Sequence, residues 1–320
     1  MYKGARIAAV VPAYREEAMI STVITTMPDF VDDIVVVDDC SPDATSDVVR
    51  SLADPRVTLI RHEVNKGVGG AIITGHRKAI ELGADVNVIM AGDAQMDPAY
   101  LPDLLDPVTS GGYGFAKANR FFRPDSYKGM PGYRVFGNIV LSFMTKFASG
   151  YWHLFDPQNG YTAVRTSVLK KLTLERVAER YSFENDLLIH LNVAGTAAVD
   201  VPIPAVYGSE VSSIRLGKVV PELLSLLFRG YWYRIWYRYV LWSFSPVALL
   251  LFTGLLLTVV GILAGIWVIA ATWDSGPATA GTVLLAVTPF ILGVQMLVSS
   301  LQLDIQESPD TPTLAPFDES

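Results

Sequence analysis

The sequence predicts an α/β domain on a doubly wound parallel sheet, followed by a two-helix transmembrane hairpin. Three observations predict it. Short β-branched runs alternate with helix-length segments through the first third of the chain, the pattern left by strand–helix–strand units. The strand candidates end in turns that carry carboxylates or proline. Two long uncharged stretches, Ser243 to Ala271 and Thr279 to Leu303, are each long enough to cross a bilayer, which takes roughly 20 apolar residues.

Composition agrees. The 320 residues are 51% hydrophobic, and the excess is concentrated in 219–303. Residues 1–218 have the composition of an ordinary soluble domain. A net charge of -7 argues against nucleic acid as a partner. Cys40 is the sole cysteine, which excludes an internal disulfide and fits a reducing compartment. Lys3 and Arg6 precede an apolar run that stops at Pro12, too short for a signal-peptide core and better read as a first strand.

That strand, Ile7 to Val11, ends at Pro12-Ala13-Tyr14-Arg15-Glu16-Glu17, and a helix follows from Glu17 to Met27. Ile34 to Val37 is a second strand, closed by Asp38-Asp39-Cys40-Ser41-Pro42-Asp43. Ser41 and Asp43 suit the N-cap of a helix over Ala44 to Leu52. Val57 to Arg61 is a third strand. Asn65 to Ala71 opens a helix to Leu82, and Gly67, Gly69 and Gly70 let backbone approach either a phosphate or another strand. The spacing is neither G-x-G-x-x-G nor a Walker loop.

The fourth strand, Val86 to Met90, runs into Ala91-Gly92-Asp93-Ala94-Gln95-Met96-Asp97-Pro98. Two carboxylates and an amide just beyond a strand's carboxyl end suit a hard divalent cation. That is also the edge where open α/β sheets bind ligands. The plainer reading is a polar turn capping a helix that starts at Pro98. The same edge collects Glu16, Asp38 and Asp39, which can hydrogen-bond a base or a ribose; turn chemistry is the alternative for the Asp pair.

Further on, Gly114 to Asn119 reads as a strand followed by Arg120, and Tyr133 to Ala148 as a helix carrying Arg134. Asp156-Pro157-Gln158-Asn159 is a turn entering a strand. Phe183 to Val193 is a helix whose first turn holds Glu184 and Asp186, both favourable to the helix dipole. Ala197 to Val201 is a last strand. Arg215 and Lys218, at i and i+3, stand directly before the membrane region.

Residues 219–242 interleave aromatics and arginines, as a membrane–water interface selects, and read as interfacial amphipathic helices. Residues 243–303 hold two transmembrane helices joined by the turn Trp273-Asp274-Ser275-Gly276-Pro277. Basic residues cluster before the first crossing and none lies in the turn. The positive-inside rule then puts the soluble domain, and after two crossings the C-terminus, in the cytoplasm. Residues 304–320, acidic and proline-rich, read as a disordered tail.

In order along the chain, VVPAYREE (Val10 to Glu17), VVVDDCSPDAT (Val35 to Thr45), NKGVGGA (Asn65 to Ala71), AGDAQMDP (Ala91 to Pro98), NR (Asn119 and Arg120) and DPQNGYTA (Asp156 to Ala163) carry a resemblance. The chain resembles the family-two, GT-A-type glycosyltransferases. Within them it looks like the polyprenyl-phosphate glycosyltransferases, the group that contains dolichol-phosphate mannose synthase. The resemblance implies a GT-A nucleotide-sugar-binding domain. It implies an inverting, metal-dependent membrane enzyme that moves a sugar from a GDP- or UDP-linked donor to undecaprenyl or dolichyl phosphate.

It further implies that Pro12, Tyr14, Glu16, Asp38, Asp39, Lys66, Gly67 and Asp93 form the nucleotide site, and that Asp93 and Gln95 hold Mg²⁺ or Mn²⁺. Arg120, Arg134, Arg215 and Lys218 would join Asp93 in catalysis by gripping the diphosphate and the lipid phosphate, in strong charge-assisted contacts. Arg134, Arg215, Lys218, Asp156, Gln158 and Asn159 would meet the acceptor. Nucleotide sugar, polyprenyl phosphate and membrane lipid are the implied partners, and a homo-oligomer is left open. Ala91 stands where the family's metal motif often begins with a further Asp. The Q-x-x-R-W motif of processive polysaccharide synthases is absent.

A phosphate acceptor is already ionised at neutral pH and needs no general base. A hydroxyl acceptor on a lipid-linked glycan needs one, and Glu184 or Asp186 is then the candidate. A third reading takes Ala91 as the mark of a degenerate, non-catalytic nucleotide-binding scaffold at the membrane.

Overall fold

The computed structural model describes residues 1–122, 132–204, 216–273 and 276–317, apart from the side chains of residues 133, 134 and 216–219. They fall into two compact units: the chain up to Tyr231 together with the segment from Pro309 on, and Trp232–Ser308.

The first unit is built on a seven-stranded sheet of order β3-β2-β1-β4-β6-β5-β7. Its strands are β1 (Ile7–Ala13), β2 (Asp33–Asp38), β3 (Val57–Arg61), β4 (Val86–Ile89), β5 (Phe115–Asn119), β6 (Thr162–Arg165) and β7 (Ala198–Pro202). β1, β2 and β4 are buried along their whole length, which is why they read as continuous apolar runs rather than alternating ones. Each fully buried Val or Ile there contributes about 1.5–3 kcal/mol relative to exposure. Helices α1 (Ile20–Thr25), α2 (Thr45–Ser51), α3 (Val68–Glu81) and α4 (Leu101–Thr109) make the connections between successive strands from β1 to β5.

β3, β2, β1 and β4 run parallel. β6 does not: it lies antiparallel between β4 and β5. The sheet is therefore mixed, which corrects the all-parallel expectation. The cause is the connection. After α5 (Gly132–Ser149) the chain returns through residues 150–161 without a crossover helix, so β6 enters the sheet from the opposite end. Val88 of β4 pairs with Ala163 of β6, and residues just before β6 share an edge with residues just after β4. This reversed strand is what delivers Asp156 to Asn159 to the carboxyl ends of β1, β2, β4 and β5. Helices α6 (Thr166–Leu169) and α7 (Phe183–Val193) complete the sheet's cover.

Helix α8 (Leu216–Arg234) packs on this unit, with Gly230 against Ile189 and Tyr231 stacked on Phe147 at 4.7 Å between ring centroids. The unit thus extends past residue 218, where the composition change places its end. Residues 304–320 are not a disordered tail over their described length. Helix α10 (Ala280–Gln306) continues through Asp304, and residues 309–317 strap onto the sheet unit. Pro309 O accepts from Ala198 N–H at 3.2 Å, Gly112 O accepts from Leu314 N–H at 3.0 Å, and Thr109 O accepts from Phe317 N–H at 3.1 Å. Arg165 donates to Ala315 O at 2.7 Å and lies over the Phe317 ring. Composition missed this because Leu314 and Phe317 are isolated apolar residues, yet each packs against a core cluster.

In the second unit a π-helical turn (Ile235–Trp242) leads to α9 (Pro246–Thr272), and α10 follows. Both helices are 27 residues long, with mean hydropathy of 2.7 and 2.0, long and apolar enough to cross a membrane. Leu256 (63% exposed), Leu263 (61%) and Leu285 (69%) show that these are not the buried helices of a soluble core. Buried residues recur every seven positions, Val247, Gly254, Gly261 and Val268 on α9 and Ala286, Gly293 and Ser300 on α10, the spacing of a left-handed pair. A Cβ at Gly293 would meet Thr258 N at 2.5 Å; small residues of this kind allow close packing of membrane helices. At one end of the pair Arg234, fully buried, forks onto Asp304, which also accepts from the Tyr239 hydroxyl at 2.6 Å.

Candidate active site

A cleft of about 390 Å³ opens at the carboxyl ends of β1 and β4. Pro12, Tyr14, Glu16, Asp39, Gly67 and Asp93 line it together with Asn65, Val68, Ala91 and Gly92. Most of the expected nucleotide residues are therefore brought together. Lys66 flanks them: its side chain is exposed, and its N–H donates to Asp39 Oδ1 at 2.9 Å. Asp38 departs from the expectation. It is fully buried and accepts from Ser41 N–H at 2.8 Å, from the Ser46 hydroxyl, and lies 3.6 Å from the Arg61 guanidinium. Turn chemistry is its role. Asp38 closes β2, and the next side chain along points the other way, so only Asp39 reaches the cleft.

The Asp39 carboxylate is held on three sides, by His62 Nδ1 at 2.7 Å, Lys66 N–H at 2.9 Å and Gly67 N–H at 2.8 Å. The glycine-rich stretch serves packing. A Cβ at Gly69 would meet Ala178 O and Phe183 Cβ, both at 2.7 Å, and Gly70 N–H donates to Glu179 O at 2.9 Å. The close approach observed is to residues 178–183, the loop before α7 and its first residue, rather than to another strand.

Asp93 sits at the cleft in a tight turn: its Oδ1 accepts from Gln95 N–H at 3.0 Å, and Ala94 adopts φ +58. Asp97 instead caps the short helical turn at Pro98, accepting from Ala99 N–H at 2.9 Å. Among the described residues no three His, Cys, Asp or Glu side chains converge into a metal cage. Gln95 meets Asp93 through its backbone N–H and is not among the residues that line the cleft. The single carboxylate of Asp93 there fits a hard cation whose remaining oxygen ligands come from substrate phosphates and water.

Arg120, Asp156 and Asn159 come together as one assembly. Arg120 forks onto Asp156 at 2.7 and 2.8 Å, and the Asn159 amide donates to the same carboxylate at 3.3 Å. Burial would raise the Asp156 carboxyl, but the Arg120 guanidinium overrides it and holds that group below the usual carboxylate range. Asp156 and Asn159 therefore mount Arg120 rather than standing free for an acceptor. Gln158 accepts from the Tyr181 hydroxyl at 3.3 Å, while its Nε2 is buried without a partner. Arg215 lies outside the described residues, as do the side chains of Arg134 on α5 and Lys218 on α8.

Beneath Arg120 lies a charge pair that sequence reading missed. Lys117, 1% exposed, lies 2.9 Å from Asp200 and donates to Asp156 O at 3.0 Å. Burial lifts the Asp200 carboxyl against the pull of Lys117. The available signal was a lone lysine inside the apolar strand FAKAN, opposite a lone aspartate in AVDVP; the two are register partners. On α7, Asp186 accepts from Ala178 N–H at 2.8 Å and faces His190, with its carboxyl raised by burial. It holds a turn. Glu184 lies beside Gly160, and burial pushes its carboxyl up to about 7.

A sequence model described as Glycosyl transferase family 2 matches residues 8–173. UDP-N-acetylglucosamine--dolichyl-phosphate N-acetylglucosaminyltransferase of Methanococcus voltae is 34% identical over 213 residues, 62% of this chain and 84% of that protein. Undecaprenyl-phosphate mannosyltransferase of Micrococcus luteus is 30% identical over 222 residues, 68% of this chain and 90% of that protein. Among solved structures, glucosyl-3-phosphoglycerate synthase from Mycobacterium tuberculosis with Mn²⁺, uridine diphosphate and phosphoglyceric acid is similar at a TM-score of 0.56. The match covers 71% of this chain and 78% of that one at 22% identity, a likeness of fold.

Proposed function

The chain belongs to glycosyl transferase family 2 and has the mixed α/β sheet of the GT-A fold, and on that premise we propose that it transfers a sugar from a GDP- or UDP-linked donor to polyprenyl phosphate. One observation carries the reading. A cleft lined by carboxylates, with Arg120 mounted at the same sheet edge, occurs in one chain with two helices long enough to cross a membrane. The two relatives above, named for dolichyl and undecaprenyl phosphate acceptors, support it.

In this reading Pro12, Tyr14, Glu16 and Asp39 hold the base and ribose. Asp93 and Gln95 would hold Mg²⁺ or Mn²⁺, which neutralises charge on the departing diphosphate when bound. Arg120, kept in place by Asp156, stabilises the same charge from the protein side. An oxygen of the lipid phosphate forms the new bond to the anomeric carbon as the bond to the diphosphate breaks on the opposite face. Arg134, Arg215 and Lys218 position that phosphate, and the catalytic unit and both termini lie in the cytoplasm. The raised carboxyl of Glu184 favours a second reading, a hydroxyl acceptor deprotonated by Glu184.

The test uses the full chain in detergent, radiolabelled UDP- and GDP-sugars, and undecaprenyl or dolichyl phosphate. Label should enter the organic phase with a lipid phosphate, and EDTA should stop it. Transfer to a lipid-linked glycan but to neither lipid phosphate overturns the main reading in favour of the second.

A further inference from the structure

His62 joins three elements behind Asp39, a residue that lines the cleft. It follows β3, its N–H donates to Asp38 O at 2.9 Å, and its side chain is 5% exposed. Nδ1 lies 2.7 Å from Asp39 Oδ1, and Nε2 shares a hydrogen bond with the Thr74 hydroxyl of α3 at 2.9 Å. A carboxylate only accepts, so Nδ1 carries the proton that it shares with Asp39. Thr74 fixes the far side of the ring, its hydroxyl oxygen lying 2.9 Å from Nε2 and 3.0 Å from Gly70 O. An imidazole held at one nitrogen to orient a group at the other is a recurring supporting arrangement.

The count of lone pairs gives the arrangement its meaning. Oδ1 of Asp39 receives His62 and Lys66 N–H; Oδ2 receives Gly67 N–H. One acceptor position is left on Oδ2, in a plane that these three donors fix. A nucleobase meeting that oxygen has to offer an N–H. Uracil and guanine carry a ring N–H on the pairing edge, whereas cytosine and adenine present a ring nitrogen lone pair beside their exocyclic amino group, so a carboxylate oxygen opposite the ring nitrogen attracts the first two and repels the others.

We infer that His62 is a positioning residue for donor selection: through Asp39 it sets the cleft to accept nucleotides whose base carries a ring N–H and to reject those that lack it. This rests on the reading of Asp39 as a base-contacting group. His62 touches no substrate and acts through Asp39 alone.

Calorimetric binding of UDP, GDP, CDP and ADP to the full chain in detergent with Mg²⁺ tests the inference. His62→Leu removes the Nδ1 donor, and His62→Asn restores an N–H at that place. In His62→Leu the Kd of the tightest nucleotide should rise at least tenfold, and the preference over CDP and ADP should shrink. His62→Asn should recover both to within about threefold. A purely structural histidine would lower the melting temperature without moving the preference, and that outcome overturns the inference. Should His62→Leu not fold, Thr74→Val loosens the ring from behind and should shift the preference in the same direction; an unchanged preference there is equally fatal. Wild-type binding in His62→Leu together with loss in Asp39→Asn rejects the role of His62 alone. Wild-type binding in Asp39→Asn rejects the reading of Asp39 beneath it.

Discussion

Arg120 and Asp156 form a two-point fork, Nε to Oδ2 at 2.7 Å and a second guanidinium nitrogen to Oδ1 at 2.8 Å, with Asp156 held at φ +50. The carboxylate is 2% exposed and the guanidinium about one third exposed. Asp156 is thus spent on aiming a cation. In Asp156→Asn the fork loses its charge and one acceptor. Stability should fall by about 1–2 kcal/mol, a modest figure because solvent screens the exposed partner. Transfer should drop at least tenfold while nucleotide affinity changes less than threefold. Melting curves, initial rates and calorimetry on one preparation check all three.

Asp93→Asn keeps the side-chain oxygen that accepts from Gln95 N–H, so the turn should survive. The charge a cation needs is gone. Transfer should be abolished with an unchanged melting temperature, and activity within threefold of wild type in saturating Mn²⁺ would sink the metal assignment.

Glu184→Gln separates the two acceptor readings. A lipid phosphate needs no base, so transfer should stay within about tenfold of wild type; loss of a true general base costs about 10²–10⁴. The same variant has a pH signature. The folded carboxyl titrates at about 7 against an ordinary 4.5, so the folded state binds its proton more tightly. That contribution to stability is full below about 4.5 and is lost as pH rises through 7. Between pH 5 and 8 wild type should lose more melting temperature than Glu184→Gln.

His76 has the opposite sign. Its ring is fully buried in α3, neither nitrogen has a partner among the described residues, and burial lowers it from 6.5 to about 4. The unfolded chain binds the proton more readily, so stability is full above 6.5 and lost as pH falls towards 4. At pH 5 the loss is about 2 kcal/mol, since each unit is worth about 1.4 kcal/mol. His76→Leu should remove this part of the acid sensitivity, read as the difference in unfolding free energy between pH 7.5 and 5.

What the sequence disclosed follows burial. β1, β2 and β4 were readable because both faces are covered and the residues are apolar throughout. The direction of β6 was not, because Thr162 to Arg165 looks the same either way round and residues 150–161 set its sense. Asp38 and Asp39 are chemically identical and adjacent; only the alternation of side chains at the end of β2 separates a turn former from a cleft residue. Lys117 with Asp200, and Arg234 with Asp304, are contacts across 83 and 70 positions. No local pattern announces such pairs, and a lone charge among apolar neighbours is the trace they leave.

The docking of residues 309–317 carries a rule of parity. Leu314 and Phe317 pack into the same unit as the sheet, so the strap and the sheet occupy one aqueous compartment. However often the chain crosses a bilayer between Tyr231 and Pro309, that number is even. Crossings by α9 and α10 satisfy the count. A reporter fused beyond Phe317 will report the same compartment as one fused ahead of Tyr2.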